Sequence, residues 1–423
     1  LLRRRDGGNW QVWHNCGLTA LAVALRDDGL IRVALDDPQC GYRTLMARHV
    51  YADGWWNEGS PIYHFYPLGA VVMTADAVRC RSIDLYDQQL YNMFASPVRG
   101  VYPDLTFPAH NDGWYGESLI AQAGLFEAAY ARFRDPLFRD VLAQCYRYVE
   151  RGGGYALLNP ERIAPASEPL RQESFRFENA GFALLRSSEA TVVLKYGPHG
   201  GGHGHPDKLS ISVHNGRKEL VSDFGTSAYG APDYTKWYRK TLAHNTVTVD
   251  GRDQSETAGE FVAFEARPDG GMVAARADSV YPGVEMSRRL TLKGAGLSDR
   301  FVCRSDETHR YDYVLLFNER PALNGKSLGA ASFGEEPYAR IRNAERYAFK
   351  RGFVIRTGDA EVRIDASAPV EVFVGEASGI PPTNPGVKTV SGSEKRPVQP
   401  AYPVIVRMTG RTMTIDAQWR INP

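Results

Sequence analysis

Three histidines stand close together in a glycine-rich stretch and are the strongest chemical signal in the chain. His199, His203 and His205 are separated only by glycines, and Pro206 and Asp207 follow directly. Glycine carries no side chain, so the backbone here can approach a bound ion or sugar closely. Imidazole is both a common metal ligand and the usual acid–base group near neutral pH. The stretch is therefore predicted to be a functional site rather than a solvent-exposed turn.

Two segments further along the chain supply potential ligands for a metal ion. Asp223 ends an apolar run, and His244 stands just before a strand-like segment. Zinc prefers histidine nitrogens and carboxylate oxygens in a tetrahedral arrangement. His205, Asp223 and His244 could converge on one zinc ion from neighbouring strands. Asp207 is a competing ligand that could instead cap its own turn, and Asp223 and His244 could be ordinary turn and strand-edge residues.

A second group of polar and aromatic residues lies towards the start of the chain. His14 and Asn15 stand in a helix-like segment, and a histidine can act as a base while an asparagine amide can bind an anionic group. Tyr63 and Tyr66 are three apart, so a helix would bring them to similar faces. A tyrosine beside a base is a candidate proton donor. Taken singly, these aromatic residues could equally belong to a hydrophobic core.

Composition restricts the class of protein. The chain has 423 residues, which favours two domains. Its 50 basic and 49 acidic residues give a net charge of +1, so neither a nucleic acid nor a membrane surface is an expected partner. No apolar run reaches the roughly 18 residues that a membrane-spanning helix needs. The five cysteines are widely spaced and form no CxxC pair, and they do not indicate a compartment.

The hydrophobic period changes along the chain and predicts an α+β protein. Helical spacing covers the first part, with helices expected over residues 118–133 and 137–149. From about residue 176 the period is two, as in strands. The strand-like segments are residues 191–196, 209–213, 246–249 and 313–317. The sequence thus predicts a helical domain (residues 1–154), a linker (155–175) and a large antiparallel β domain (176–423).

Several of these segments together resemble the heparinase II/III-like superfamily of polysaccharide lyases, and within it the exo-type oligoalginate lyases of polysaccharide lyase family fifteen. The strongest likeness lies in residues 196–210 (YGPHGGGHGHPDKLS), 222–226 (SDFGT) and 237–247 (WYRKTLAHNTV). Residues 9–15 and 57–66 match less specific motifs of the helical domain.

The resemblance implies an α/α toroid followed by an antiparallel β-sandwich, with the substrate in the cleft between them. Residues 9–152 are too few for the whole toroid, so it is expected to be incomplete at its N-terminus here. The missing N-terminal part of the same protein, or another polypeptide, is then an expected partner.

The resemblance also implies β-elimination at a uronic acid and assigns roles to individual residues. Asn15 and His203 would hold the uronate carboxylate. Tyr63 would act as base or acid, with Tyr66 as its rival, and His14 would be the partner base when the C5 proton lies on the opposite face. Zinc, as a structural or cleft-bracing ion, would be bound by His205, Asp223 and His244. Residues expected to contact the substrate are Tyr66, His110, Trp114, Trp237, Tyr238 and Arg239.

The first hypothesis is therefore a polysaccharide lyase, exo-acting on alginate. One alternative is a lyase for heparin, heparan sulfate or another glycosaminoglycan. Two others belong to different classes: a non-catalytic, zinc-braced carbohydrate-binding protein, and a zinc hydrolase with Glu58 as its base. The expected location is periplasmic or secreted in a bacterium, or cytoplasmic if the substrate is an imported oligosaccharide.

Overall fold

The computed structural model describes residues 7–382 and 398–422 of the chain. Within this part, helices come first and strands follow, as the change of hydrophobic period predicts. The outer ends of the ranges 1–154 and 176–423 lie outside the described residues. The helices are α1 (Gly8–Leu25), α2 (Asp28–Asp36), α3 (Tyr42–His49), α4 (Pro61–Val78), α5 (Gln88–Arg99), α6 (Ala123–Phe133) and α7 (Pro136–Cys145). None of the described helices is long and apolar enough to cross a membrane.

Two helices differ from their predicted bounds. The segment predicted as one helix over 118–133 begins with a 3-10 turn, Leu119–Gln122, before α6 starts. Helix α6 ends where Arg134 adopts a left-handed conformation, with φ at 54°. Helix α7 starts where the Asp135 side chain accepts a hydrogen bond from the backbone N–H of Leu137. It ends at Cys145 rather than at residue 149, before the glycines that were expected to stop it.

The strands form one antiparallel system that occupies the second part of the chain. They are β1 (Phe175–Phe177), β2 (Phe182–Arg186), β3 (Thr191–Lys195), β4 (Ser210–His214), β5 (Glu219–Val221), β6 (Val247–Val249), β7 (Glu260–Arg267), β8 (Gly270–Arg276), β9 (Val284–Lys293), β10 (Gly296–Phe317), β11 (Ala322–Leu323), β12 (Ala330–Ala331), β13 (Arg342–Phe349), β14 (Gly352–Arg356), β15 (Ala360–Ala366), β16 (Val370–Ser378) and β17 (Pro400–Ile421). The four strand-like segments of the sequence correspond to β3, β4, β6 and the end of β10.

The longest pairing joins β10 to β17 and organises the sheet. The register runs from Gly296 opposite Arg420 to Phe317 opposite Tyr402, with one irregularity between Arg304 and His309. Strand β10 also pairs with β9, and further along with β6 and β5. Strands β4, β5 and β6, which flank the segments of the histidine-rich site, are thereby attached to the most extensive part of the sheet.

Strands β2 and β3 connect the helical part to the sheet because both of their faces are buried. Side chains alternate between opposite faces of a strand. In β2, Ala183 and Leu185 belong to the main core of the β domain, whereas Phe182 and Leu184 pack into the core of the helical part. In β3, Val193 joins the helical core in the same way. One strand thus contributes to two cores, which gives the helices a rigid base beside the histidine-rich stretch.

A buried carboxyl in the helical part generates a prediction about pH. Burial raises the pKa of Glu117 to about 8, although a hydrogen bond from Gln122 lowers it. The folded pKa therefore lies above the unfolded one, so the stabilising contribution is complete in acid and is lost as the pH rises towards 8. We expect Glu117→Gln to raise the free energy of unfolding near neutral to alkaline pH by on the order of a few kcal/mol, with little effect in acid.

Urea unfolding at several pH values measures this effect. Glu127→Gln is the matched control, because Glu127 is equally buried but pairs with Arg151, and its pKa is lowered despite burial. That variant should lose stability at neutral pH. If Glu117→Gln is no more stable than the wild type at alkaline pH, Glu117 does not oppose folding there.

Candidate active site

Tyr63 lies in the first turn of α4, and the sequence before it sets where that helix starts. The Ser60 hydroxyl oxygen accepts a hydrogen bond from the Tyr63 backbone N–H at 3.4 Å. Pro61 occupies the first helical position, where its missing N–H and fixed φ are favourable. Tyr63 is half-buried, and Ser60 and Pro61 before it are buried. Its side chain is therefore carried by a well-defined helix start rather than by a loop.

His203 is carried by a tight turn that only glycines can form. Gly200 and Gly201 have φ values of 95° and 63°, in the left-handed region, and lead into a 3-10 turn that ends at His203. At Gly204 a Cβ atom would lie 2.1 Å from the carbonyl oxygen of His199, so the turn folds closely onto itself. The glycines thus serve to hold His203 in place.

Tyr63 and His203 meet although they belong to different parts of the fold. Their rings stack with 3.7 Å between the centroids and 21° between the planes. The Tyr63 hydroxyl forms a short hydrogen bond with the hydroxyl of Tyr229, which lies in the loop after β5. Burial raises the pKa of Tyr63 to about 12, the hydrogen bond with Tyr229 lowers it, and the charge of Asp112 raises it again. The phenol is therefore protonated at neutral pH.

The Asp112 carboxylate is buried and binds both functional histidines. His203 Nδ1 lies 2.9 Å from Oδ2, and His205 Nε2 lies 3.0 Å from Oδ1. An ionised carboxylate only accepts, so each of these ring nitrogens donates. Burial raises the pKa of Asp112, but the bonds from His203 and His205 and the charge of Arg239 outweigh it and hold the pKa well below its usual range.

Two tyrosines and an arginine complete the polar surroundings of Asp112. The hydroxyls of Tyr229 and Tyr234 donate to Oδ2 of Asp112 at 3.3 and 3.1 Å. Arg239 donates to the Tyr234 hydroxyl at 3.2 Å and to the carbonyl of Gly204 at 2.9 Å. Arg239, expected to face the substrate, thus lies at the site, where it also fixes the end of the histidine turn.

Several buried ligand atoms near His205 have no hydrogen-bond partner among the described residues. These are Nδ1 of His205, Oδ2 of Asp223 and both ring nitrogens of His244. His244 Nδ1 lies 3.3 Å from Asp223 Oδ2, and the rings of His205 and His244 are 5.2 Å apart. Because His205 donates from Nε2 to Asp112, its Nδ1 carries the free lone pair that a metal would use. This donor set suits zinc.

Asp207 offers a different third ligand. One oxygen of Asp207 and one ligand atom each of Asp223 and His244 all lie within 4.8 Å of one another. The ring nitrogens of His205 do not form such a group with Asp223 and His244 in this structure. Both Asp207 oxygens are already bound, however, one to the ammonium of Lys195 and the other to that of Lys208 at 2.9 Å. Two ammonium groups beside the same carboxylate disfavour a further cation there.

The structure does not bring Asn15 to the site. Asn15 is buried, its Nδ2 donates to the Cys40 carbonyl at 2.6 Å, and its Oδ1 accepts from Gln11 at 2.9 Å. Both amide atoms are used in the helical core, so Asn15 is not placed to hold a carboxylate. His14 is half-buried on α1, and its Nδ1 has no hydrogen-bond partner among the described residues.

Three residues expected to contact substrate are buried instead. Trp237 is 1% exposed and donates to the Ser378 carbonyl, and Tyr238 is 3% exposed and donates to the Gly379 carbonyl. His110 is buried against Phe182, and burial lowers its pKa to about 4. These side chains anchor the loops of the site rather than line it.

Two other expected contacts keep some exposure. Tyr66 is 41% exposed and packs against Trp13 of α1, with 5.5 Å between ring centroids. Trp114 is half-buried, and its backbone forms an isolated antiparallel β-bridge with Gly225. Of the two rival tyrosines, Tyr63 is the one that stacks on His203.

Sequence reasoning missed three residues of the site. Asp112 stands in the motif that suggested His110 and Trp114 but received no role, and Tyr229 and Tyr234 stand between the proposed ligands Asp223 and His244. Asn9 begins the segment that suggested His14, and its Nδ2 donates to the Glu58 carboxylate at 2.7 Å. The usable signal for Asp112 was an Asn-Asp-Gly turn between two aromatic groups.

Comparison with known proteins identifies a family for part of the chain. The model of the heparinase II/III-like, C-terminal family matches residues 169–379. These residues belong to that family. The match begins before β1, ends just after β16 and contains the histidine turn, Asp223 and His244.

Relatives of the chain are named as polysaccharide lyases. It is 26% identical over 378 residues to the alginate lyase of Stenotrophomonas maltophilia, covering 75% of this chain and 49% of the relative. It is 27% identical over 364 residues to the exo-oligoalginate lyase of Saccharophagus degradans, covering 72% and 48%. The heparan sulfate lyase HepC of Pedobacter heparinus shares the fold, with a TM-score of 0.69, 17% identity, and 99% and 61% of the chains covered. The chain spans about half the length of the two curated relatives.

The buried ion pairs beside the site generate a prediction about stability. Asp207→Asn would leave the buried ammonium groups of Lys195 and Lys208 without their shared counter-charge. We expect the free energy of unfolding to fall by about 3–5 kcal/mol. Asp416→Asn is the matched control, because Asp416 pairs with Arg300 on the exposed surface and its loss should cost less than about 1 kcal/mol. Equal losses in urea unfolding would show that the Asp207 pairs contribute no more than a surface pair.

Proposed function

We propose that the protein is a polysaccharide lyase that cleaves uronate-containing chains by β-elimination. The observation that carries this proposal is the stacking of Tyr63 on His203, which puts a phenolic proton beside an imidazole at one point. β-Elimination removes the C5 proton beside the uronate carboxylate and expels the 4-linked oxygen, leaving an unsaturated sugar. It needs a group that neutralises the carboxylate and a group that moves protons, and this pair offers both.

His203 is the proposed group for the carboxylate. Its Nδ1 donates to Asp112, so Nε2 is the nitrogen that remains for a ligand. The bond to the buried Asp112 carboxylate fixes the His203 imidazole in one orientation. Positive charge at the uronate carboxylate stabilises the negative charge that develops as C5 loses its proton. The guanidinium of Arg239, bound to Tyr234 and to the Gly204 carbonyl, supplies a positive charge nearby.

Tyr63 is the proposed group that moves the proton. When the C5 proton lies on the same face as the leaving oxygen, the phenol would give its proton to that oxygen while its own oxygen takes the C5 proton, so that the phenol ends protonated. Its raised pKa keeps the phenol protonated, which suits donation. The hydroxyl of Tyr229 lies between Tyr63 and Asp112 and orients the phenol. His14 stays the proposed partner base for substrates whose C5 proton lies on the opposite face.

Zinc is the proposed cofactor, bound by His205, Asp223 and His244. The unpartnered buried nitrogens and carboxylate oxygen described above support this set. A bound zinc would supply a fixed positive centre that braces this wall of the site. His205 would then link that wall to Asp112, and Asp112 links to His203, so the orientation of His203 depends on the same group of residues.

Alginate is the proposed substrate, attacked from a chain end, because two relatives are named as alginate and exo-oligoalginate lyases. A glycosaminoglycan such as heparan sulfate is the second candidate, favoured by the likeness to the heparan sulfate lyase. The helical part is proposed to be a portion of an α/α toroid, and the strands a β-sandwich. The proposed location is periplasmic or secreted, or cytoplasmic for imported oligosaccharides.

The lyase proposal predicts an ultraviolet-absorbing product. The complete protein, incubated with alginate, heparan sulfate or hyaluronan, should produce the absorbance of an unsaturated uronate with at least one of them. Tyr63→Phe should lower the rate at least about 100-fold, because the phenolic proton is lost while the ring stays. Tyr66→Phe is the matched control and should keep most activity.

Two results would contradict this assignment. Absence of absorbance with every uronate polymer would reject the lyase. Full activity of Tyr63→Phe together with loss in Tyr66→Phe would move the proton donor to Tyr66.

The zinc proposal predicts a metal content that depends on named ligands. Elemental analysis of the purified protein should show about one zinc per chain. His205→Ala and His244→Ala should lose it, whereas His199→Ala, a change in the same turn, should keep it. If His205→Ala retains zinc while Asp207→Asn loses it, the third ligand is Asp207.

A further inference from the structure

Asn111 joins the start of the Tyr63 helix to the turn that carries His203. Its Nδ2 donates to the carbonyls of Glu58 and Gly59, both at 3.1 Å, just before α4. Its Oδ1 accepts from the backbone N–H of His205 at 3.2 Å and from the ammonium of Lys195. The side chain is 0% exposed. One amide thus ties two segments that are far apart in the sequence.

The space around this amide leaves no room for a side chain at two neighbouring glycines. A Cβ atom at Gly59 or at Gly200 would lie 2.6 Å from Asn111 Nδ2. Both glycines also have positive φ, at 71° and 95°. The two segments therefore both approach the amide nitrogen of Asn111, and each needs glycine at the point of closest approach.

The orientation of the amide is fixed by its partners. Oδ1 faces two donors and Nδ2 faces two acceptors, so a flipped amide would lose all four bonds. Lys195 is itself buried and held by Asp207. The buried ammonium and carboxylate thus secure one end of the amide, and the other end holds the loop before α4.

We propose that Asn111 is a positioning residue for the elimination: it sets the distance between the Tyr63 phenol and the His203 imidazole by holding α4 against the histidine turn. The inference rests on the proposed function. A displacement of a reacting group by about 1 Å can lower a rate about 100-fold. Asn111 touches neither reacting group, so its effect on turnover acts through Tyr63.

Asn111→Asp tests this with almost no change of shape. The oxygen that replaces Nδ2 faces the carbonyls of Glu58 and Gly59 and repels them, while the other oxygen keeps its bonds to Lys195 and to His205. In the complete protein, kcat should fall about 100-fold, with KM changed less than about threefold.

The Tyr63→Phe background separates positioning from a general structural effect. If Asn111 acts through Tyr63, adding Asn111→Asp to Tyr63→Phe should lower the residual kcat by less than about threefold. Losses that multiply fully would overturn the proposal, because Asn111 would then act independently of Tyr63. Unchanged kcat in Asn111→Asp, with an active wild type, would overturn it as well. An inactive wild type would instead overturn the proposed function.

A second variant covers failure of Asn111→Asp to fold. Gly59→Ala disturbs the same contact from the side of α4 and should give the same fall in kcat. Gly283→Ala is its control, since Gly283 has a φ of 73° but no atom within 4 Å of an added Cβ. Hydrogen exchange gives a readout without activity: residues 61–66 should lose protection in Gly59→Ala but not in Gly283→Ala. Equal protection in both would overturn the proposal.

Discussion

The buried carboxylate of Asp112 is the interaction on which the site depends. A charge removed from water is tolerated only when donors surround it. Here His203, His205, Tyr229 and Tyr234 all donate to it. These bonds use Nδ1 of His203 and Nε2 of His205, so Nε2 of His203 is left for the proposed sugar carboxylate and Nδ1 of His205 for the proposed zinc. The catalytic proposal and the zinc proposal are therefore two consequences of one carboxylate.

The scaffold supports this arrangement from two directions. Strands β2 and β3 are buried on both faces, so the sheet and the helices share a rigid boundary beside the histidine turn. The Ser60 and Pro61 start of α4 fixes Tyr63, and the glycines of the turn fix His203. Asn111 then connects the loop before α4 to the histidine turn through hydrogen bonds. The groups proposed for proton transfer and for carboxylate binding thus come from separate parts of the chain, and a few buried polar groups hold these parts together.

Much of the fold could be predicted because it follows local patterns. Alternating hydrophobic residues gave β3, β4 and β6, and the glycine-separated histidines pointed to His203 and His205. The errors arose where long-range packing decides. Neighbours on a helix face different directions, so Asn15 turned inwards although His14 did not. Trp237 and Tyr238 found carbonyl partners at the end of β16, and Asp112 gained its partners from two distant segments, residues 203–205 and 229–234. No local pattern carries that information.

The mass balance of the reaction tests the central claim most directly. The complete protein is incubated with a defined uronate oligosaccharide, and the masses of the products are measured by mass spectrometry. β-Elimination consumes no water, so the product masses should add up to the mass of the substrate, with the unsaturated sugar on the newly formed non-reducing end. Products that together exceed the substrate by one water molecule would show hydrolysis and would contradict the account.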